Sequence, residues 1–318
     1  MKVYIPQAVA KEGTDYLLEK GYEVIVGEGF SIEEMKRDIA DCDAMLIRTA
    51  ECPKEVLEAG KNVRVIARHG VGYDNIDVAA ATELGMWVTN TPQALSDSVA
   101  EFTLASMMMA AKNIPACSEA MRQQNYGYKN SHKGVDILGK TLGIVGLGRI
   151  GRTVAAKAYS GLEMEIIAYD PFLKQSQVPG YITLCSWDEL FAQADFISLH
   201  LPGGDENRGV VGKKEFEIMK ESGILLNMAR GEVVDETALD EALRAGQLRC
   251  AVLDVQSQEP PRADWPLYQN DKVILTPHMA SNTEECMDRM ALHAAWQVHK
   301  VLNGDKPDWP VNQPVITS

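Results

Sequence analysis

An apolar strand pattern runs directly into a G-x-G-x-x-G turn at residues 141–151 (TLGIVGLGRIG), and an acid, Asp170, follows at the end of a second strand-like run, Glu165 to Tyr169. This arrangement predicts a dinucleotide site at the start of a βαβ unit. Gly146 allows the tight turn, Gly148 lets backbone approach a pyrophosphate, and Gly151 lets the next helix pack on its strand. The free N–H groups at the start of that helix, over 152–159, face the phosphates. Asp170 separates the two nicotinamide cofactors. A carboxylate there accepts hydrogen bonds from ribose hydroxyls and repels a 2′-phosphate, and no Arg follows in Pro171-Phe172-Leu173, so NAD is favoured over NADP. The plainer reading is that Asp170 caps the next segment.

A chain of 318 residues has room for two ordinary domains, and 46% apolar content fills their cores. A formal charge of −14 opposes nucleic-acid binding, and any anion site must be locally basic. Six cysteines without CxxC or His-rich spacing read as reduced packing residues of a cytoplasmic protein, not as disulfides or a metal site. The start reads as a strand, not a signal peptide, and no apolar run reaches the roughly 20 residues of a membrane span. The longest apolar run, 102–111, reads as a buried helix.

Before the fingerprint, strand patterns at 2–5, 22–26, 44–47, 63–67 and 87–90 alternate with helical ones at 14–20, 31–40, 54–59 and 78–84. Ser31 with Glu34 has capping-box spacing, and Asp77 reads as a cap. A longer helical pattern over 98–124 is interrupted near Pro115. After the fingerprint, strand patterns recur at 196–199, 224–226, 251–255 and 273–275, and a final helix follows Ser281. The expectation is an α/β chain of two doubly wound parallel-sheet domains with a cleft between them. A Rossmann NAD-binding domain covers 98–282. A flavodoxin-like substrate domain covers 1–97 plus 283–318.

Arg230, Glu259 and His278 each follow a strand pattern of the second domain, where open parallel sheets bind ligands. An arginine fork can hold a 2-oxo acid's carboxylate and polarise its carbonyl. A histidine titrates near working pH and donates the proton, and a neighbouring carboxylate favours its protonated form. Singly these residues also read as a domain-interface ion pair, a solvated loop acid and a buried histidine. On one rim they read as a site.

The segments NMARGEVVDE (227–236), DVQSQEP (254–260) and TPHMAS (276–281) resemble the three signatures of the D-isomer-specific 2-hydroxyacid dehydrogenases. GVGYDNID (70–77), NTP (90–92), VAE (99–101) and HLP (200–202) match as well. The resemblance implies Arg230 as substrate clamp, Glu259 as histidine partner and His278 as acid/base. It implies substrate contacts from Val71 and Gly72. It further implies cofactor contacts from Arg149, Ile150, Asp170, His200, Pro202, Asn207, Met228, Ala229, Asp254 and Ala280, with Asp254 near the nicotinamide carboxamide, and a homodimer built through the helix before the fingerprint. Gln256, Met228 and Asn207 depart from the usual aromatic, smaller residue and threonine. Arg48 and Arg68 end strand patterns of the first domain, where they can hold a second anion such as a phosphate. That resembles the D-3-phosphoglycerate dehydrogenase branch, although the C-terminal regulatory domain many of those enzymes carry is absent from this sequence. Hydroxypyruvate, glyoxylate and other 2-oxo acid reduction stay open, as does an NAD-sensing corepressor that binds a partner without useful turnover.

Overall fold

The structure, a computed structural model, describes residues 1–314; the last four residues of the substrate domain expected over 283–318 lie outside the described residues. The chain divides into two compact units: Met1–Ser96 with the segment from Ser281, and Asp97–Ala280.

The first unit holds five strands, β1 (Lys2–Ile5), β2 (Glu23–Val26), β3 (Ala44–Ile47), β4 (Val65–Arg68) and β5 (Trp87–Thr89), in the all-parallel order β2-β1-β3-β4-β5. This is the flavodoxin-like order. β1 and β3 are almost wholly buried, as continuous apolar strands covered on both faces must be. Met35, Ile39 and Leu57 fill one face and Leu17, Ala294 and Val298 the other. Ser31 closes a capping box with Glu34, and Asp77 accepts from the Ala80 N–H, as the spacing predicts.

The second unit holds β6 (Thr141–Val145), β7 (Glu165–Tyr169), β8 (Ile182–Leu184), β9 (Phe196–Leu199), β10 (Ile224–Asn227), β11 (Cys250–Leu253) and β12 (Val273–Leu275). Their order, β12-β11-β10-β9-β6-β7-β8, is parallel throughout. Two βαβ runs wind outward in opposite directions from β6 and β9, so the strand order reverses there and leaves a crevice at the strands' carboxyl ends.

One strand was not expected from the sequence. β8 has no counterpart among the strand patterns, because three residues between polar segments give too short an alternation to read. The interruption expected near Pro115 falls at Asn113, whose φ is 55°, between the helices Ser96–Ala111 and Ile114–Arg122. Pro115 sits inside the first turn of the helix Ile114–Arg122, where its missing N–H has no partner to lose. Among the described residues, no helix is long and apolar enough to cross a membrane, and no group of three His, Cys, Asp or Glu is placed to hold a metal ion.

Candidate active site

Strand register places the site residues of the second unit on one rim. Val145, Leu199, Asn227, Leu253 and Leu275 are successive partners across β6, β9, β10, β11 and β12. The segments that follow them carry the glycine turn, His200, Arg230, Asp254 and His278.

The glycine turn is sterically committed. Gly146 has φ 93°, and a Cβ there would come within 2.7 Å of the His200 carbonyl oxygen. A Cβ on Gly151 would lie 2.1 Å from the Gly146 oxygen, so the helix Arg149–Leu162 can start against the strand only with glycine. Gly148 differs, since a Cβ added there would meet nothing within 4 Å. It is exposed at the helix N-terminus beside Arg149 and the half-buried Ile150, which leaves open backbone for an anion. Asp170 accepts from Leu147 N (3.0 Å) in the turn and from Phe172 N (3.0 Å). It therefore ties β7 to the fingerprint and caps the next segment as well, and its oxygens keep further lone pairs for other donors.

His278 and Glu259 meet, with Nδ1 2.8 Å from Oε2. A carboxylate only accepts, so Nδ1 carries a proton in this pair and Nε2 is the nitrogen left for proton exchange. Burial acts to raise the Glu259 pKa, but the His278 hydrogen bond and charge, the Gln256 N–H (3.1 Å from Oε1) and the Arg230 charge hold it below the usual carboxylate value. His278 itself has φ 54°, a left-handed conformation that costs a non-glycine residue about 1–2 kcal/mol. Asp254 holds that turn in place. It is fully buried; its backbone oxygen accepts from His278 N (2.7 Å), and its carboxylate accepts from Met279 N (2.7 Å), Ala280 N (2.8 Å) and Thr276 Oγ1 (2.6 Å).

Arg230 is half-buried, and its Nη1 donates to the Ala229 oxygen at 2.7 Å. The fully buried Asn227 brackets it, donating from Nδ2 to the Arg230 oxygen (2.8 Å) and accepting from Ala229 N (3.0 Å). On the neighbouring segment, His200 Nε2 lies 2.9 Å from Ser198 Oγ, and Asn207 Nδ2 donates to the Pro202 oxygen (3.1 Å). Asn207 thus closes the turn where the family pattern has threonine. Met228 and Ala280 are buried, and Ala229 is half-buried. Gln256 donates from Nε2 to the Thr276 oxygen (3.1 Å), joining the Glu259 loop to the His278 turn. Asn227 and Thr276 are structural partners that sequence reasoning did not single out, and Gln256 drew notice only as a departure from the usual aromatic residue. Polar residues inside the signature segments were the one signal that could have found them.

A family model described as "D-isomer specific 2-hydroxyacid dehydrogenase, NAD binding domain" matches residues 104–280. The chain belongs to the D-isomer-specific 2-hydroxyacid dehydrogenase family. It is similar to the D-3-phosphoglycerate dehydrogenase of Archaeoglobus fulgidus, at 39% identity over 99% of this chain, but spans only 60% of that relative's length. The hydroxypyruvate reductase of Thermotoga maritima is 36% identical, with 95% of this chain and 98% of that protein covered. The crystal structure of the TT0316 protein from Thermus thermophilus superposes with a TM-score of 0.89 at 34% identity, covering 98% of this chain and 100% of that one.

NAD(H) is the cofactor of this dehydrogenase domain, and the residues fit it. The turn that must be glycine at Gly146 and Gly151 and is open at Gly148 admits a pyrophosphate, and Asp170 stands at the end of β7 for a ribose.

In the first unit, Arg68 pairs in register with Ile47, so Arg48 and Arg68 both sit at the carboxyl ends of adjacent strands and both are half-buried. Arg68 Nη1 donates to the His69 oxygen. The following loop is held by Asn90 Nδ2, which donates to the Val71 oxygen at 2.9 Å, and Gly72 beside it is half-buried. His69 between them is only 2% exposed, and burial, followed by the charge of Arg68, pushes its pKa down from 6.5 to about 4. The unfolded chain therefore takes up this proton first as the pH falls. Stability is complete above about pH 6.5 and is lost toward pH 4, by on the order of 3 kcal/mol for this group. Urea denaturation across that window is expected to show a flatter pH dependence for His69→Gln than for wild type, and parallel curves would refute the assignment.

Proposed function

We propose that this chain is an NAD-dependent oxidoreductase that reduces a small 2-oxo acid to the D-2-hydroxy acid and runs the reverse reaction. The observation that carries this reading is the 2.8 Å His278–Glu259 pair on the strand rim that also bears the glycine turn. The Arg230 guanidinium holds the substrate carboxylate and polarises the adjacent carbonyl. NADH, when bound, supplies the hydride. His278 Nε2 gives a proton to the carbonyl oxygen as it becomes a hydroxyl, and takes it back in oxidation. Glu259 fixes the ring and stabilises the imidazolium. Asp254 shapes the turn from which the imidazole projects.

For the substrate, Arg48 and Arg68 support a second anionic group such as a phosphate, so D-3-phosphoglycerate and its 2-oxo partner are the first choice. Val71 and Gly72 supply the loop for the carboxylate. Hydroxypyruvate or glyoxylate reduction is the second reading, favoured by the full-length similarity to a hydroxypyruvate reductase. An NADH-oxidation screen with phosphohydroxypyruvate, hydroxypyruvate, glyoxylate and branched 2-oxo acids tests both. In the phosphate reading, Arg48→Ala or Arg68→Ala raises KM for the phosphorylated substrate far more than for glyoxylate. Absence of turnover with every 2-oxo acid, alongside NADH binding, would favour a corepressor-like binding protein instead.

Cofactor choice follows Asp170. NADH is expected to be preferred to NADPH, and Asp170→Ala to narrow the preference, because no carboxylate then opposes a 2′-phosphate. Equal kcat/KM for both cofactors in the wild type would refute it. We further infer a homodimer, supported by the exposed Ile114 and Met121 on the helix before the fingerprint, and a cytoplasmic location, supported by six free thiols.

A further inference from the structure

We propose that Glu236 is a positioning residue for the Glu259–His278 pair, acting through the loop that joins β11 to the turn Pro266–Gln269. The inference rests on the reading of that pair as the acid/base centre. Glu236 opens the helix Glu236–Ala245, where an acid ordinarily serves the helix dipole. Capping is already done there by Asp235, whose Oδ1 accepts from Thr237 N and Ala238 N. The Glu236 carboxylate instead turns to the loop. Oε1 accepts from Ser257 N (2.7 Å), and Oε2 accepts from Ser257 Oγ and from Trp265 Nε1 (both 2.8 Å).

These three donors flank Glu259 on both sides along the chain. Ser257 adjoins Gln256, whose N–H donates to Glu259 Oε1 and whose side chain reaches the Thr276 oxygen just before His278. Gly231 braces the same point from behind, since a Cβ there would meet the Gln256 carbonyl carbon at 1.8 Å. The loop lies outside the strand ladder, and a cavity of 320 Å³ lined by Glu236, Ser257, Arg262 and Trp265 leaves it room to relax. Without the carboxylate, the Ser257 N–H and the Trp265 N–H lose their common acceptor, and the loop gains conformers in which Glu259 no longer reaches Nδ1. Of the charged groups on the neighbouring segments, Arg230 after β10 acts on Glu259, Asp254 after β11 is committed to the turn around His278, and Glu236 to the loop. Arg262 and Asp264 pair with each other at 2.8 Å.

The test compares Glu236→Ala and Glu259→Gln with wild type in two readouts. In kinetics, Glu236→Ala is expected to lower kcat for reduction by about tenfold to a hundredfold, the loss that a misplaced catalytic group produces. KM for NADH should stay near wild type, and the basic limb of the kcat profile should move to lower pH, as in Glu259→Gln. The double variant should be no worse than Glu259→Gln alone, because both act on one contact. In the second readout, the His278 imidazole is followed by NMR as the pH is varied, which needs no turnover. A Glu236→Ala titration displaced toward that of Glu259→Gln supports the proposal even if no 2-oxo acid is reduced, in which case only the dehydrogenase reading fails. A titration or pH profile that superimposes on wild type overturns it and leaves Glu236 as a structural brace. Should Glu236→Ala not fold, Glu236→Gln is read in the same way, since an amide has one acceptor oxygen and cannot serve the Ser257 N–H at one atom and Ser257 Oγ with Trp265 Nε1 at the other, as the carboxylate does.

Discussion

Alanine in place of His278 is expected to lower kcat for 2-oxo acid reduction by about a hundredfold or more, with KM for NADH close to wild type. The imidazole is the one group of the pair with a nitrogen left for the substrate, because Nδ1 is committed to Glu259 at 2.8 Å. In the proposed reaction its removal deletes the proton donor without disturbing the glycine turn, which sits further along the sheet rim, beyond β9. The left-handed backbone at residue 278 is a second consideration. Alanine tolerates φ 54° no better than histidine, so the strain persists while the Asp254 hydrogen bonds that hold the turn remain. Stopped-flow measurement of a single turnover separates the chemical step from product release. A variant whose hydride-transfer rate equals wild type would show that another group donates the proton.

Arg230→Ala is expected to show the larger loss in kcat/KM, by about a hundredfold to a thousandfold, since in the proposed reaction the guanidinium stabilises charge on the carbonyl oxygen in the transition state as well as binding the carboxylate. KM for the 2-oxo acid should rise with it, which distinguishes this variant from His278→Ala. Lysine is not a neutral replacement. A point charge lacks the planar fork, and Arg230 is held in place by its bond to the Ala229 oxygen and by the Asn227 bracket on its backbone. Arg230→Lys should therefore recover only a small part of the loss. A Michaelis constant and turnover number both within twofold of wild type for Arg230→Ala would remove the residue from the site.

The dinucleotide fingerprint was legible because its chemistry is local. Gly146, Gly148 and Gly151 stand within six residues, and the conformations they allow follow from the absence of a side chain. The alternation of short apolar strands with capped helices likewise carried the two parallel sheets, since the central strands are buried on both faces and several helices announce themselves through a neighbour such as Ser31 or Asp77. Where local signals were thin, the reading fell short. β8 is three residues long.

Side-chain partnerships between distant segments were beyond the sequence. Arg230, Glu259 and His278 could be named from their places after strand patterns and from the signature segments, yet nothing local says that the Glu259 carboxylate lies within hydrogen-bonding distance of Nδ1. Asp254 reads as a polar residue within the strand pattern 251–255, and only the packed turn reveals one carboxylate receiving a hydroxyl and two backbone N–H groups. Glu236 reads as an ordinary first-turn acid. Its commitment to Ser257 and Trp265 depends on how the helix Glu236–Ala245 lies against the loop after β11, twenty-one residues on to Ser257. Backbone conformation is set by neighbours along the chain, so the sequence by itself determined most of the elements and the cofactor turn. Hydrogen bonds between side chains of distant segments are set by neighbours in space, so the tertiary structure alone decided how the His278–Glu259 pair is held.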